Sequence, residues 1–184
     1  MQTETNPWKI KDSTQVYSNK WISVTEHQVV NPSGNEGIYG VVHFKNTAVG
    51  VFPLDDENNT WLVGQYRFPL NKYCWEIPEG GAPAGEDPKV GAARELEEET
   101  GLRASSYTKI VEMHLSNSVS DEYAVVYLAQ GLTQHTATPE DTEQLTIKKL
   151  PFEEVYQMVL RGDITDSMSV AAILKVKLIL SGLA

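Results

Sequence analysis

Short apolar stretches separated by polar turns fill the first quarter of the chain. They predict three β-strands, over residues 14–17, 22–30 and 39–44. Turns rich in Asn, Pro, Gly and Ser, at 19–20 and 31–35, separate these strands. We therefore expect residues 1–45 to form a small N-terminal antiparallel β-sheet. A sheet of this size is marginal in water by itself, so it must pack on something else.

From residue 47 the chain is more hydrophobic, and strands alternate with helices. The pattern predicts strands over residues 48–54, 60–67, 73–77, 107–112, 123–129 and 145–150. The first two are expected to pair across the polar turn at 55–59. Helices are predicted over 88–100, from Pro151 to about Arg161, and from about Ser167 to Leu180. Strands flanked by helices indicate an α/β fold with a mixed sheet between helical layers over residues 46–184.

Composition narrows the function and the location. A chain of 184 residues that is 41% hydrophobic can build a sizeable core, and its net charge of −10 argues against binding nucleic acid or an acidic membrane. The single cysteine, Cys74, excludes an internal disulfide and is expected to be a packed thiol. The first residues contain no apolar signal core, and no stretch is long enough to span a bilayer. We take the cytoplasm as the default location and leave export without a recognisable signal open.

The segment GGAPAGEDPKVGAARELEEETGL, residues 80–102, is the most informative part of the chain. On a helix, Glu95, Glu98 and Glu99 share one face, whereas Glu97 points nearly the opposite way. Three carboxylates on one face repel each other unless a positive charge lies between them. A hard divalent cation, which prefers oxygen ligands, suits this position. The alternative is an ordinary solvated acidic face.

The residues around these acids support a defined helix. Pro88 suits the first turn, and the acidic residues just before it suit the positive end of the helix. Gly101 stands where a helix ends. Arg94 lies one turn from Glu98, where it can orient carboxylates. Gly91 falls on the carboxylate face and would leave room for a ligand.

These residues form a family pattern. Gly80 is followed after five residues by Glu86, and after seven more by Arg94-Glu95-Leu96, one residue, Glu98-Glu99, one residue and Gly101-Leu102. This arrangement resembles the complete Nudix box. The resemblance implies an α/β/α sandwich and an enzyme that uses Mg²⁺, with Mn²⁺ as a substitute ion, to cleave a nucleoside diphosphate linked to another group.

The resemblance also implies roles for the residues of the box. Glu95, Glu98 and Glu99 are the expected metal ligands, joined by the main-chain carbonyl of Glu79. Catalytic roles are expected for Glu98, Glu99 and Arg94. Gly80 and Gly81 would allow the backbone to approach the ligand closely. The alternative for this glycine pair is a plain turn.

Two segments before the box resemble the ADP-ribose and nucleoside diphosphate sugar pyrophosphatases. In residues 65–69, Gln-Tyr-Arg-Phe-Pro, the matching Arg67 would contact substrate phosphates, because a guanidinium offers several donors to phosphate oxygens. The alternative is an arginine in a surface ion pair. In residues 75–78, Trp-Glu-Ile-Pro, Glu76 would help to place the substrate, whereas Trp75 is equally compatible with the core.

A second acidic cluster follows Pro139. In the ADP-ribose group, a loop at this position supplies a base or a further metal ligand. The family pattern favours Glu143, with Glu140 second and Asp141 third. The alternative is an ordinary polar loop.

The N-terminal sheet and the last helix complete the resemblance. In related enzymes such a sheet is exchanged between two subunits, so a homodimer is expected, and Trp21 matches an aromatic position that stacks on the base. Packing in a core or interface is an equal alternative for Trp21. Sugar-nucleotide hydrolases often have a lysine where this chain has Met168, which favours ADP-ribose modestly. Asp166, just before it, is also suited to cap the helix.

The sequence thus predicts Mg²⁺-dependent hydrolysis of ADP-ribose or a related nucleoside diphosphate sugar to a nucleoside monophosphate and a sugar phosphate. Two alternatives stay open. One is a Nudix enzyme acting on nucleoside triphosphates or dinucleotides. The other is a module that binds nucleotides without cleaving them, although such modules usually lack part of the box.

Overall fold

A computed structural model describes residues 5–137 and 144–183 of the chain. These residues form two compact units. The first contains residues 5–46 and 114–122, and the second contains the other described residues. Within these ranges, no helix combines the length and the apolar character needed to cross a membrane.

The first unit is an antiparallel sheet of three strands in the order β1-β2-β3, which confirms the predicted N-terminal sheet. The strands are β1 Lys9–Ser18, β2 Ile22–Val30 and β3 Glu36–Phe44. Two of them are longer than predicted, because backbone pairing continues past the apolar residues. The edge of β3 is covered by residues 119–121, since Val42 exchanges backbone hydrogen bonds with Val119 and Asp121.

The second unit contains three helices and the remaining strands. The strands are β4 Asn46–Pro53, β5 Asn59–Arg67, β6 Lys72–Glu76, β7 Glu79–Pro83, β8 Leu102–His114, β9 Tyr123–Gln134 and β10 Thr146–Pro151. The helices are α1 Pro88–Thr100, α2 Phe152–Arg161 and α3 Ser167–Leu180. Strand β7 was not predicted, because its Gly-Gly-Ala sequence shows no apolar alternation and is more typical of a loop.

These strands form a four-stranded sheet, in the order β7-β4-β9-β8, and a three-stranded sheet, in the order β10-β5-β6. The predicted pairing of residues 48–54 with 60–67 is wrong, since β4 and β5 belong to different sheets. Strand β4 instead runs parallel to β9. Its last five residues are all buried, as expected for a central strand covered on both faces. Asp55 closes the turn after β4 by accepting hydrogen bonds from the amides of Glu57 and Asn59.

Helices cover both faces of the four-stranded sheet. On one face, Val49 and Val51 of β4 join a buried cluster with Ala92 and Leu96 of α1. On the other face, the ring of Phe52 meets the ring of Phe152 in α2, with centroids 5.9 Å apart. Helix α3 packs against β9 and α2 on that side. The predicted α/β class and its α/β/α layering are confirmed.

Candidate active site

Helix α1 begins and ends where its sequence predicts. The Asp87 side chain accepts a hydrogen bond of 2.9 Å from the amide of Lys89, and Pro88 occupies the first helical position. At the other end, Gly101 has a φ of 72°, which glycine adopts without strain, and its amide donates to the carbonyl of Glu97. The helical spacing assumed for the four glutamates is therefore correct.

Two glutamates of α1 bind the backbone of β7. The amide of Gly81 donates to Oε1 of Glu95 at 3.2 Å, and the amide of Glu79 donates to Oε2 of Glu99 at 3.0 Å. A Cβ atom added at Gly80 would lie 2.2 Å from the carboxyl carbon of Glu95. Glycine at this position therefore makes room for the Glu95 carboxylate. Gly80 and Gly81 belong to this strand rather than to a plain turn.

The Arg94 side chain links two carboxylates of α1 to the backbone of β7. Its Nη1 donates to Glu95 at 2.9 Å and to Glu98 at 3.1 Å, and its Nη2 donates to the carbonyl of Gly81 at 2.9 Å. Glu86 lies 3.6 Å from the same guanidinium. Burial lowers the pKa of Arg94, but the charges of Glu95 and Glu98 outweigh burial and raise it. Arg94 thus supplies fixed positive charge between the acids, as the sequence led us to expect.

Burial has the opposite effect on Glu95. It raises the pKa of this carboxyl above its ordinary value, despite the nearby charge of Arg94. Glu97 points away from these groups and pairs with Arg103 at 2.6 Å, largely in solvent. Glu95 is therefore partly desolvated, whereas Glu97 has an ordinary surface environment.

Arg67 is clamped by two acids. Its Nε lies 3.0 Å and 2.9 Å from the two oxygens of Glu76, and its Nη2 lies 2.6 Å from both Glu76 and Glu79. Burial lowers the pKa of Arg67, but the hydrogen bond to Glu76 and the two carboxylate charges raise it overall. Glu76 is almost fully buried and the Arg67 side chain is 34% exposed, so this ion pair lies partly below the surface.

Helix α3 fixes the chain between Glu76 and Glu79. The Ser169 hydroxyl accepts a hydrogen bond of 2.9 Å from the amide of Ile77, and both residues are fully buried. Asp166 caps the helix, because its Oδ2 accepts from the amide of Ser169 at 2.7 Å. The N-terminus of α3 therefore holds the junction from β6 to β7.

Six acids near helix α1 and the N-terminus of α3 form two groups. Glu76, Glu79 and Asp166 are the described residues that present three ligand atoms within 4.8 Å of one another. Glu95, Glu98 and Glu99 share one face of α1, but they do not bring three ligand atoms within this distance of one another. The sequence predicted the second group. It named Glu76, Glu79 and Asp166 singly, in other roles, but not as a group.

A family model described as the NUDIX domain matches residues 44–169, which is more than half of the chain. The chain belongs to the Nudix family. A second model, described as the nucleoside diphosphate sugar hydrolase N-terminal domain, matches residues 8–42, the region of the first sheet. Together these matches confirm the family resemblance on which the sequence analysis relied.

Relatives agree with this assignment. The chain is 36% identical over 177 residues to an ADP-ribose pyrophosphatase of Mycobacterium tuberculosis, covering 94% of this chain and 84% of the relative. It is 33% identical over 161 residues to a methanol dehydrogenase activator of Bacillus methanolicus, covering 86% of each. A solved structure of an ADP compounds hydrolase shares the fold, with a TM-score of 0.85 at 20% identity over 98% of this chain and 99% of that one. The chain is a Nudix hydrolase that resembles the ADP-ribose pyrophosphatase group.

Gly91 of the Nudix helix has a packing role that the sequence did not suggest. A Cβ atom there would lie 2.8 Å from the Cβ of Ala82 and 3.0 Å from an oxygen of Glu86. The expected room for a ligand beside Gly91 is therefore filled by strand β7. Glycine at this position lets α1 lie directly on that strand.

Trp21 and Trp75 are the tryptophans for which the sequence weighed a role at the site. Trp21 is 59% exposed in the first unit, and the Lys20 ammonium lies 4.1 Å from the centre of its ring. Trp75 is adjacent to Glu76 in β6, so its side chain lies on the opposite face of the sheet. There it meets the ring of Tyr73 and the ammonium of Lys148.

The acidic loop after Pro139 lies outside the described residues, so the expected roles of Glu143, Glu140 and Asp141 stay predictions. Sequence reasoning missed Ser169 as a positioning residue. The spacing of Asp166 and Ser169 predicts the helix cap, which uses the Ser169 amide, but it gives no signal for the contact of the Ser169 hydroxyl with Ile77.

Proposed function

We propose that this Nudix hydrolase cleaves the pyrophosphate bond of ADP-ribose or a related nucleoside diphosphate sugar in a Mg²⁺-dependent reaction, with Mn²⁺ as a substitute ion. The products are a nucleoside monophosphate and a sugar phosphate. The observation that carries the proposal is the attachment of Glu95 and Glu99 of α1 to the backbone of β7, beside the clamped guanidinium of Arg67. This arrangement places acidic side chains that can hold a metal and a guanidinium that can bind phosphate in the same unit.

The donor set fits a hard divalent cation. All the candidate ligand atoms are oxygens, from Glu95, Glu98 and Glu99 and from the main-chain carbonyl of Glu79, and Mg²⁺ prefers oxygen ligands. Gly80 supports the fit, because the absence of a Cβ atom there lets the Glu95 carboxylate lie directly against the backbone. When bound, the metal would lower the pKa of a water molecule and neutralise charge on the phosphates.

Arg94 orients the ligands for this ion. It spans from Glu95 to Glu98 and is anchored on the carbonyl of Gly81. The same guanidinium offsets repulsion between the two carboxylates before a cation arrives. We therefore assign Arg94 a positioning role, and Glu98 and Glu99 the role of ligands closest to the chemistry.

Arg67 is proposed to bind the substrate phosphates. Its guanidinium stays charged at any working pH, and a planar fork suits two phosphate oxygens. The Nε of Arg67 donates to both carboxylate oxygens of the buried Glu76, which restricts the orientation of the guanidinium. Glu76 thus contributes to substrate placement through Arg67.

We further propose that Glu143 acts as the base or as an additional ligand, with Glu140 as the second choice. Family resemblance supports this assignment. Trp21 is proposed to stack on the nucleotide base, since an exposed indole can stack on any base.

A homodimer is part of the proposal. The first unit leaves several large apolar side chains exposed, which is unusual for a surface that stays in water. They are Ile10, Val16, Tyr17, Trp21 and Ile38. The family resemblance, in which such an N-terminal sheet is exchanged between two subunits, also supports a homodimer.

A substrate panel tests the activity. The purified protein is incubated with Mg²⁺ and ADP-ribose, GDP-mannose, UDP-glucose, nucleoside triphosphates or dinucleotides, and the products are identified. We expect turnover of ADP-ribose or another sugar nucleotide, lost on adding a chelator. Preferential turnover of triphosphates or dinucleotides would overturn the substrate class, and binding without turnover would overturn the catalytic proposal.

Glu99→Gln tests the metal ligands, with Glu97→Gln as its matched control on the same helix. We expect Glu99→Gln to lower kcat by about a thousandfold or more, because losing a carboxylate ligand weakens the binding of the cation that neutralises charge in the transition state. Glu97→Gln should stay near wild type, since the Glu97 side chain points away from the other three acids and pairs with Arg103 at the surface. Equal activity of the two variants would refute the role of Glu99.

A further inference from the structure

Three carboxylates from three different elements converge beside Arg67. Glu76 ends β6, Glu79 begins β7, and Asp166 caps α3. One oxygen from each lies within 4.8 Å of the other two. Oxygens that share one divalent cation at about 2.0–2.6 Å from the metal lie no more than about 5 Å apart, so this spacing can accommodate an ion.

Positive charge in this cluster is insufficient. Arg67 pairs with Glu76 and Glu79, which leaves one guanidinium against three carboxylates. Across residues 5–137 and 144–183, no basic side chain comes within 4.0 Å of the Asp166 carboxylate. Glu76 and Glu79 are largely buried and Asp166 is half-buried, so acids in this excess need a counter-charge from outside the chain, either a cation or a proton.

Glu79 supplies a second, independent observation. Its side chain is only 9% exposed, and Arg67 contacts it through Oε1. Its other oxygen, Oε2, is buried and has no hydrogen-bond partner among the described residues. A buried carboxylate oxygen without a donor costs free energy, unless a cation or a proton satisfies it.

We propose that Glu76, Glu79 and Asp166 form a second divalent-cation site, separate from the ligands on α1, and that Arg67 competes with the cation for Glu76 and Glu79. The ligands are all oxygens, so the site suits Mg²⁺ or Mn²⁺ rather than a softer metal. Glu79 belongs to both sites, through its side chain here and its carbonyl at the other. Cation binding here needs no nucleotide, and the site shares Glu76 and its partner Arg67 with the proposed substrate contacts.

The test titrates the full-length chain with Mn²⁺ alone and counts bound ions by electron paramagnetic resonance. Asp166→Asn is the main variant, because Asn caps a helix as well as Asp and removes only the charge. Asp163→Asn is its control, since Asp163 is exposed and pairs with Arg161. We expect Asp166→Asn to lose one bound ion, or to bind it at least tenfold more weakly, while Asp163→Asn matches wild type.

Arg67→Ala gives a change of opposite sign. Removing the competing guanidinium should tighten Mn²⁺ binding at this site by at least threefold. Unchanged Mn²⁺ binding in Asp166→Asn, or weaker binding in Arg67→Ala, would overturn the proposal and leave a proton on Glu79 as the counter-charge. If Asp166→Asn fails to fold, wild-type crystals soaked in Mn²⁺ decide: an anomalous peak between the three carboxylates supports the site, and its absence beside a peak at α1 refutes it.

Glu99→Gln separates this inference from the proposed function. It should remove the ion at α1 and leave the second one. If Glu99→Gln changes nothing while Asp166→Asn loses an ion, the metal ligands proposed on α1 are wrong and the second site stands.

Discussion

Ser169→Ala removes one oxygen atom from the interior and leaves the amide of Ile77 without an acceptor. The hydroxyl and the amide are 2.9 Å apart, and both residues are fully buried. The change leaves the Asp166 cap intact, because that bond uses the backbone amide of Ser169. The variant therefore isolates a single side-chain hydrogen bond between α3 and the junction from β6 to β7.

The expected cost follows from the burial of both partners. A buried donor left without a partner destabilises a protein by about 1–3 kcal/mol, since water cannot replace the lost acceptor. For a chain of this length, each kcal/mol lowers the Tm by roughly 2–4 °C, so a total loss of roughly 2–12 °C is expected. The same junction places Glu76 and Glu79, so kcat/KM should fall as well.

Thermal and denaturant unfolding measure the effect, with Ser167→Ala as the matched control. Ser167 lies two residues earlier in the same helix and is exposed, so its change should stay within about 0.5 kcal/mol. If Ser169→Ala unfolds within that same margin, the hydrogen bond to Ile77 does not hold the junction, and α3 is not its support.

Two further changes test other contacts. Gly80→Ala should barely alter stability, but it should raise the Mg²⁺ concentration needed for half-maximal activity at least tenfold, since the new Cβ displaces only the flexible end of Glu95. The control is Gly37→Ala, where an added Cβ meets open space. The same Mg²⁺ requirement in both variants would count against this reasoning. Asp55→Asn should cost about 2 kcal/mol at neutral pH. Burial raises the pKa of Asp55, but hydrogen bonds from Lys149 and Asn59 lower it from 3.8 to about 2. This contribution is present above pH 3.8 and lost as pH falls through about 2, so unfolding curves of wild type and variant should converge there.

Local signals were sufficient for helix α1 and its carboxylate face. Pro88 and Gly101 determine the bounds of α1 through backbone geometry that does not depend on the rest of the fold. The helical period then puts Glu95, Glu98 and Glu99 on one side. The family pattern rests on the same residues, so the order of amino acids is enough to identify it.

Strand pairing was not predictable to the same degree. Residues 48–54 and 60–67 look like a hairpin because a polar turn joins them, yet β4 pairs with β9, which lies far along the chain. Burial of β4 on both faces decides this pairing, and burial depends on which helices cover the sheet. Strand β7 was missed for a related reason, since its glycines form a strand only because β4 offers an edge.

The sequence by itself determined the family, the caps of α1 and the types of residue available for metal and phosphate. Those features depend on near neighbours in the chain, where spacing and chemistry act directly. Only the tertiary structure decided that Asp166 and Ser169 reach the junction between Glu76 and Glu79, and that Arg67 is clamped there. Ile77 and Ser169, which are 92 positions apart in the chain, meet because α3 packs on the sheet, and no local pattern encodes that packing.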